Sequence, residues 1–224
     1  MSELIGIVGD SGKGKSTSLR NLDPETTVII NVSGKPLPFP KSREKYNDDV
    51  SIKDGGNYAE TASPPKVVKI MKYISSQRDD IDSIVLDDLQ YLQAFEFFKR
   101  RDEKSYDKFS DIGGHLFDVL NTARNLREGL KVITTVHPEE YGEGLDKKIV
   151  FKSLGKMIRQ NLTPEGLFTV IFYADYDSNN NEYFFETQTD GRTPARSPMG
   201  MFDERRIPND VDEAITNIDE YYGR

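Results

Sequence analysis

The residues with the strongest chemical signal lie near the start of the chain. Gly9-Asp10-Ser11-Gly12-Lys13-Gly14-Lys15-Ser16, followed by Thr17, fits the pattern G-x-x-x-x-G-K-[ST]. Glycines in such a loop let successive backbone N–H groups turn inward on a polyphosphate. A helix starting at the loop would add its positive end. Lys15 would reach the β- and γ-phosphates as a point charge, and the Ser16 hydroxyl would ligate Mg²⁺. Lys13, an extra lysine inside the loop, has the type and position of a solvent-facing residue.

A site of this kind needs a carboxylate at the end of a buried strand. Ile84-Val85-Leu86-Asp87-Asp88 supplies two in succession. Asp87, at the carboxyl end of an apolar run where open α/β sheets bind ligands, is assigned as the second, Walker B type, metal-orienting acid. Asp88 has two readings. It is either the group that polarises an attacking water or the N-cap of a helix starting near Leu89. His137 ends another apolar run, Lys131–Val136, and would stand near the γ-phosphate if that strand neighbours the Asp87 strand. Arg192 and Arg196 flank a turn, and an arginine from a neighbouring subunit can neutralise transition-state charge. Arg196 is the stronger candidate.

Residues 145–160 hold Lys147, Lys148, Lys152, Lys156 and Arg159 against a single acid, Asp146. This segment could track a nucleic-acid backbone, with Phe151 as a stacking face, or could be a solvated charged helix. Residues 203–224 are the reverse, with seven acids against three arginines. They read as an acidic tail with a short amphipathic helix through Val211, Ala214, Ile215 and Ile218.

The elements that must hold these groups follow from the apolar pattern. Leu4–Val8, Thr27–Val32, Ile84–Leu86, Lys131–His137, Thr169–Ala174 and Glu182–Thr187 read as strands, the last two joined as a hairpin by the turn-rich 177–181. Helices are expected after the glycine loop, around Val67–Ile74, over Leu89–Arg101 and over Ile112–Arg127. The polar, Gly/Asn/Asp-rich stretch 41–65 is expected to be a long surface loop or insertion. Strands alternate with helices to residue 137 and then cluster. This predicts one α/β domain over 1–224 with a mostly parallel central sheet flanked by helices and a β-rich C-terminal part.

The 224 residues carry a net charge of −8 and contain no Cys and no Trp. Disulfides, thiol nucleophiles and Cys-ligated zinc are therefore excluded. The acidity argues against a wholly basic nucleic-acid coat, though not against a local basic patch. No apolar run approaches the roughly 20 residues that span a bilayer, so no membrane partner is expected. With no signal-peptide pattern at the start, the cytoplasm is the default expectation.

The chain resembles the phage-encoded, short RecA-like P-loop ATPases, the group that includes the Sak-type single-strand annealing proteins. The resemblance rests on Gly9–Thr17, on Ile84–Asp88, on Val132–Glu139 with His137 at the strand end, and on Asp190-Gly191, Ala195-Arg196 and Gly200-Met201-Phe202. It implies a RecA-like core, ATP and Mg²⁺ as cofactors, single-stranded DNA as partner, and a homo-oligomer. Two positions depart from the family pattern. Where Ala-Lys-x-Arg is usual, Arg196 replaces the lysine and Pro198 the arginine. The strand after the glycine loop ends Asn31-Val32-Ser33, where the family commonly has Glu. Two other classes use the same loop: a small-molecule or nucleotide kinase, and an assembly module that binds nucleotide without appreciable hydrolysis.

Overall fold

The computed structural model describes residues 1–105, 107–144, 147–154 and 163–224. In chain order the strands are β1 (Glu3–Val8), β2 (Thr27–Asn31), β3 (Tyr58–Glu60), β4 (Ser83–Asp87), β5 (Lys131–Val136), β6 (Pro138–Tyr141), β7 (Lys148–Phe151), β8 (Val170–Asp177), β9 (Glu182–Glu186) and β10 (Arg206–Pro208). The helices are α1 (Ser42–Lys45), α2 (Pro64–Gln77), α3 (Gln90–Lys99), α4 (Asp107–Arg124) and α5 (Val211–Tyr222).

Eight strands form one sheet in the order β10-β9-β8-β1-β5-β4-β2-β3. The six from β8 to β3 run parallel, and β9 and β10 close one side antiparallel. The central strands β1, β2, β4 and β5 are buried along their whole length and mostly apolar, because both faces are covered. Alternation along β1 divides them: Leu4 and Val8 face α2 and α4, whereas Ile5 and Ile7 face α5 and Leu19. On the first face Val67, Met71 and Ile74 of α2 meet Leu116, Val119, Leu120 and Ala123 of α4. Each large side chain among them stabilises by about 1.5–3 kcal/mol on burial. Pro64 and Pro65 start α2, where a missing N–H costs nothing.

The registers set up the site. Val8 pairs with Val136, Leu86 with Thr134, and Asn31 with Asp87. The carboxyl ends of β1, β5, β4 and β2 therefore lie side by side. The strand that leads to His137 neighbours the Asp87 strand, which meets the condition set for His137 to face the same site.

Several expectations are corrected. The glycine loop runs into a five-residue 3-10 helix, Thr17–Asn21, rather than an α-helix. Ser, Thr and Asn are weak helix formers, and Pro24 follows closely. Residues 41–65 are more than a loop: they hold α1, a 3-10 turn (Ile52–Asp54) and β3, which extends the sheet edge beside β2. Tyr46 and Ile52 from this stretch are buried in the core. Helix α4 ends at Arg124, short of Arg127, and a small antiparallel sheet, β6–β7, lies beyond His137. The acidic C-terminal stretch is docked. Arg20 pairs with Asp210 at 3.2 Å, Lys131 with Asp219 at 2.9 Å, and Arg224 with Glu3 at 2.6 Å. Its acids are thus partly committed to the chain's own cations, and Val211, Ala214 and Ile218 are buried.

Candidate functional site

The strand ends enclose a cleft of about 380 Å³ lined by Ser11, Gly12, Gly14–Thr17, Ser33, Lys35, Asp87, Asp88, His137 and Tyr183, among others. The glycine loop forms one wall. A Cβ on Gly9 would sit 2.5 Å from the Ala174 carbonyl oxygen of β8, so only glycine fits there. Gly12 and Gly14 have φ of +80° and +85°, a region other residues rarely enter. Lys15 is buried, and its Nζ donates to the Gly9 carbonyl at 2.6 Å and the Asp10 carbonyl at 2.9 Å. Burial lowers its pKa, opposed by the charges of Asp88, Asp87 and Asp10. Lys13 is only partly solvent-facing: its Nζ meets Asp175 of β8 at 2.6 Å, a bond that raises its pKa.

Asp87 is the centre of the opposite wall. Its Oδ1 accepts from the Ser16 hydroxyl at 2.8 Å and from the Thr135 hydroxyl at 2.7 Å. Thr135 Oγ1 in turn accepts from the Asp88 backbone N–H at 2.7 Å. One hydroxyl of β5 thus fixes both acids, Asp87 at the end of β4 and Asp88 just beyond it. Burial pushes the Asp87 pKa up, and the Thr135 hydrogen bond opposes that rise. The glycine loop and the acid strand, 71 residues apart in sequence, meet at the Ser16–Asp87 bond.

Asp88 is not a helix cap by its side chain, because Leu89 occupies that position before α3 and has no side-chain bond. It has φ of +65°, a strained value for a non-glycine residue. The turn presents its carboxylate to Gln90 Nε2 at 3.3 Å, His137 Nε2 at 3.6 Å and Lys35 Nζ at 3.6 Å. Burial alone would raise its pKa. Contacts with His137, Gln90 and Ser33 and the charge of Lys35 outweigh it and hold the carboxyl at about 2. His137 is held in two further places: its N–H donates to Gln90 Oε1 at 3.3 Å, and its carbonyl accepts from the Lys152 N–H at 2.9 Å.

Arg196 does not join this group. It bridges to Ile171 of β8 through two backbone hydrogen bonds. Its Nη2 donates to the carbonyls of Glu165 and Phe168, near the start of β8 and away from the cleft end of the sheet. Through that nitrogen the guanidinium is held by two carbonyls of its own chain and is not aimed at its own cleft. Arg192 is at an exposed turn capped by Asp190. His115 of α4 bonds to Glu96 of α3 at 2.9 Å.

The basic segment is only partly described; Lys156 and Arg159 lie outside the described residues. Lys147 pairs with Glu140 at 2.9 Å across the β6–β7 hairpin, and Lys148 stands opposite Tyr141. Lys152 is exposed beyond the hairpin. Strand β6 contributes Glu139 and Glu140 to the same hairpin: Glu140 is the acid that meets Lys147, and Glu139 accepts from the Ser153 N–H at 3.3 Å. Phe151 offers no stacking face, because it is buried edge-on against Phe168 in the core.

Sequence inspection missed Thr135, Gln90, Lys35 and Asn209. A polar Thr134-Thr135 pair interrupting an apolar strand was the available signal for the first. Asn209 is buried, its Oδ1 lies 2.8 Å from where a Gly14 Cβ would be, and its Nδ2 has no partner among the described residues. Among the described residues no cluster of three or more His, Asp or Glu gathers to hold a metal, and no helix is long and apolar enough to cross a membrane.

No protein-family model matches the chain, and no curated protein matches it. What defines it is a mixed α/β architecture: a large, mostly parallel central sheet flanked by helices, with a polar cleft at the strand ends.

Proposed function

We propose that the protein is a Mg²⁺-dependent ATP-binding protein and slow ATPase of the RecA-like P-loop class. The observation that carries this is the 2.8 Å bond between Ser16 and the buried Asp87, in the same cleft as Lys15 and two left-handed glycines. A loop shaped for polyphosphate and an acid poised beside its hydroxyl form one unit.

The donor set fits Mg²⁺. This ion keeps several waters and takes one or two protein oxygens, and Ser16 Oγ and Asp87 are hard oxygen donors already side by side. When bound, Mg²⁺ supplies charge neutralisation across the β- and γ-phosphates. The backbone around Gly12, Gly14 and Thr17, with Asp10 and Ser11 at the loop's mouth, cradles the phosphates. Lys15 exchanges the Gly9 and Asp10 carbonyls for phosphate oxygens. Thr135 keeps Asp87 in place. Asp88, with a pKa of about 2, is a weak proton acceptor at neutral pH, since a base works best when its pKa is near the ambient pH. Its part is to orient water and hold His137. The backbone link from His137 to Lys152 gives His137 a route to report nucleotide state to the segment beyond it.

The resemblance adds single-stranded DNA and a homo-oligomer, and the cytoplasm stays the default setting drawn from the sequence. In this reading Lys147, Lys148, Lys152, Lys156 and Arg159 meet the DNA backbone. The test is ATP turnover with and without Mg²⁺ and single-stranded DNA, at low and moderate salt. Mg²⁺-dependent turnover that DNA stimulates, with stimulation fading as salt rises, is the expected result. Turnover indifferent to DNA at both salts removes DNA from the account and leaves the nucleotide site. Tight ATP binding with no turnover points to the assembly module.

A further inference from the structure

We propose that Lys35 is a catalytic cation supplied by the chain to its own cleft, and that buried Asn31 is the residue that positions it. This rests on the nucleotide reading above.

Phosphoryl transfer concentrates negative charge on the γ-phosphoryl oxygens and on the leaving β-phosphate oxygen, and preorganised cations facing that charge lower the barrier. The cationic side chains lining the cleft, among the described residues, are Lys15 and Lys35, with His137 beside them. Lys15 belongs to the glycine loop. Arg196 is tied to backbone carbonyls elsewhere, and Lys13 is paired with Asp175. Lys35 differs from all of these. Its side chain is 63% exposed, it holds Asp88 only at 3.6 Å, and its Nζ lies 5.0 Å above the Tyr91 ring. It stands at the edge of the acid pair, with most of its side chain on the open side of the cleft.

The loop that carries Lys35 is built for placement. Asn31 ends β2 in register with Asp87 and is fully buried. Its Nδ2 donates to the Lys35 carbonyl at 2.6 Å and to the Tyr58 hydroxyl at 2.9 Å. Its Oδ1 accepts from the Gly34 N–H at 2.9 Å and from the Ser33 hydroxyl at 3.3 Å. Gly34 takes φ of +69°, turning the chain back over the cleft. Pro36, Pro38 and Pro40 then restrict the backbone on the far side of Lys35. One buried amide thus closes the 31–35 turn from both ends, and the turn delivers a lysine to the Asp88–His137 end of the cleft, where the nucleotide reading puts the γ-phosphate. In the reaction a water oxygen bonds to the γ-phosphorus. The bond from that phosphorus to the β,γ-bridging oxygen breaks, its electron pair stays on ADP, and the water gives up a proton to solvent. Lys35 is neither bonded nor deprotonated; its charge faces the oxygens that gain negative charge.

The experiment measures steady-state ATP hydrolysis (kcat and KM separately) and ATP binding by calorimetry for wild type, Lys35→Ala, Lys35→Arg, Asn31→Ala and the Asn31→Ala/Lys35→Ala double variant. Thermal melts confirm which variants are folded. Lys35→Ala is expected to lower kcat about 100-fold, the scale for removing one transition-state donor, with KM within about threefold. Lys35→Arg should recover most of the loss. If Asn31 acts through Lys35, the double variant is no slower than Lys35→Ala alone. A Lys35→Ala kcat within about twofold of wild type overturns the inference, as does a loss confined to KM. Wild type that binds ATP without turnover overturns this inference alone. Wild type that binds no ATP overturns the nucleotide reading as well.

Discussion

The cleft at the ends of β1, β4 and β5 and the hairpin β6–β7 are linked by the bond from the Lys152 N–H to the His137 carbonyl. They hold their polar groups in opposite ways. In the cleft, Asp87 is 4% exposed and receives two hydroxyl donors, one of which also fixes the next residue. On the hairpin, Lys147 and Glu140 pair with side chains 47% and 62% exposed. Buried groups linked in series hold one geometry, because losing any partner strands a desolvated polar atom. Exposed pairs are weak and screened by salt. The difference separates two kinds of work. The cleft can perform chemistry that needs atoms in fixed places, and the hairpin can contribute charge alone.

Asp87→Asn is the sharpest way to break the comparison. It keeps size and removes the charge, so Mg²⁺-dependent turnover should fall about 100-fold or more while the protein stays folded. Turnover rates with and without Mg²⁺ check this. If the fall is under about tenfold, Asp87 is a packing acid. Arg196→Ala should do the reverse. Leaving the Glu165 and Phe168 carbonyls without their charged donor should cost about 1.5–3 kcal/mol of stability. Turnover per folded molecule should not change, even in mixtures with wild type. Denaturant unfolding and a mixing assay decide this, and a kcat effect would restore it as a finger in trans.

Smaller effects belong to the surface. Glu140→Ala should change stability by under about 1 kcal/mol. By freeing Lys147 it should strengthen single-stranded DNA binding at low salt, an effect lost at moderate salt. DNA titration at two salts reads it, and unchanged affinity at low salt would dissociate the hairpin from DNA. The Arg78–Asp80 pair gives the smallest expected change. The hydrogen bond from Arg78 holds the Asp80 carboxyl below its usual range. A depressed acid contributes stability that is fully present above its unfolded pKa, about 3.9. That contribution is lost as pH falls through the lower folded value. Asp80→Asn should therefore leave a shallower acid limb, below about pH 4, in the melting temperature against pH.

Much of the sheet was legible because its central strands are short apolar runs bounded by turn residues. A run of β-branched and aliphatic residues such as Ile84-Val85-Leu86 leaves little choice of structure. β3 was not legible, since Tyr-Ala-Glu has no alternation, and it exists because β2 offers it an edge. β6 opens on a proline and is mostly polar. In the site, Gly9–Ser16 and Asp87 were legible because their chemistry is local in sequence. Thr135, Lys35 and Asn31 were not. Their roles come from the register of β5 against β4 and of β2 against β4, which no single segment records. The placement of Arg196 was not legible for the same reason: the carbonyls that hold it lie 31 and 28 residues away.

The central claim is that the glycine loop and Asp87 form one nucleotide site. Calorimetric titration of ATP into wild type and Lys15→Ala, with Mg²⁺ and with chelator, tests it most directly. The account predicts saturable binding by wild type that weakens when Mg²⁺ is removed, and no measurable binding by Lys15→Ala. Equal affinity in the two proteins, or none in wild type, would contradict it.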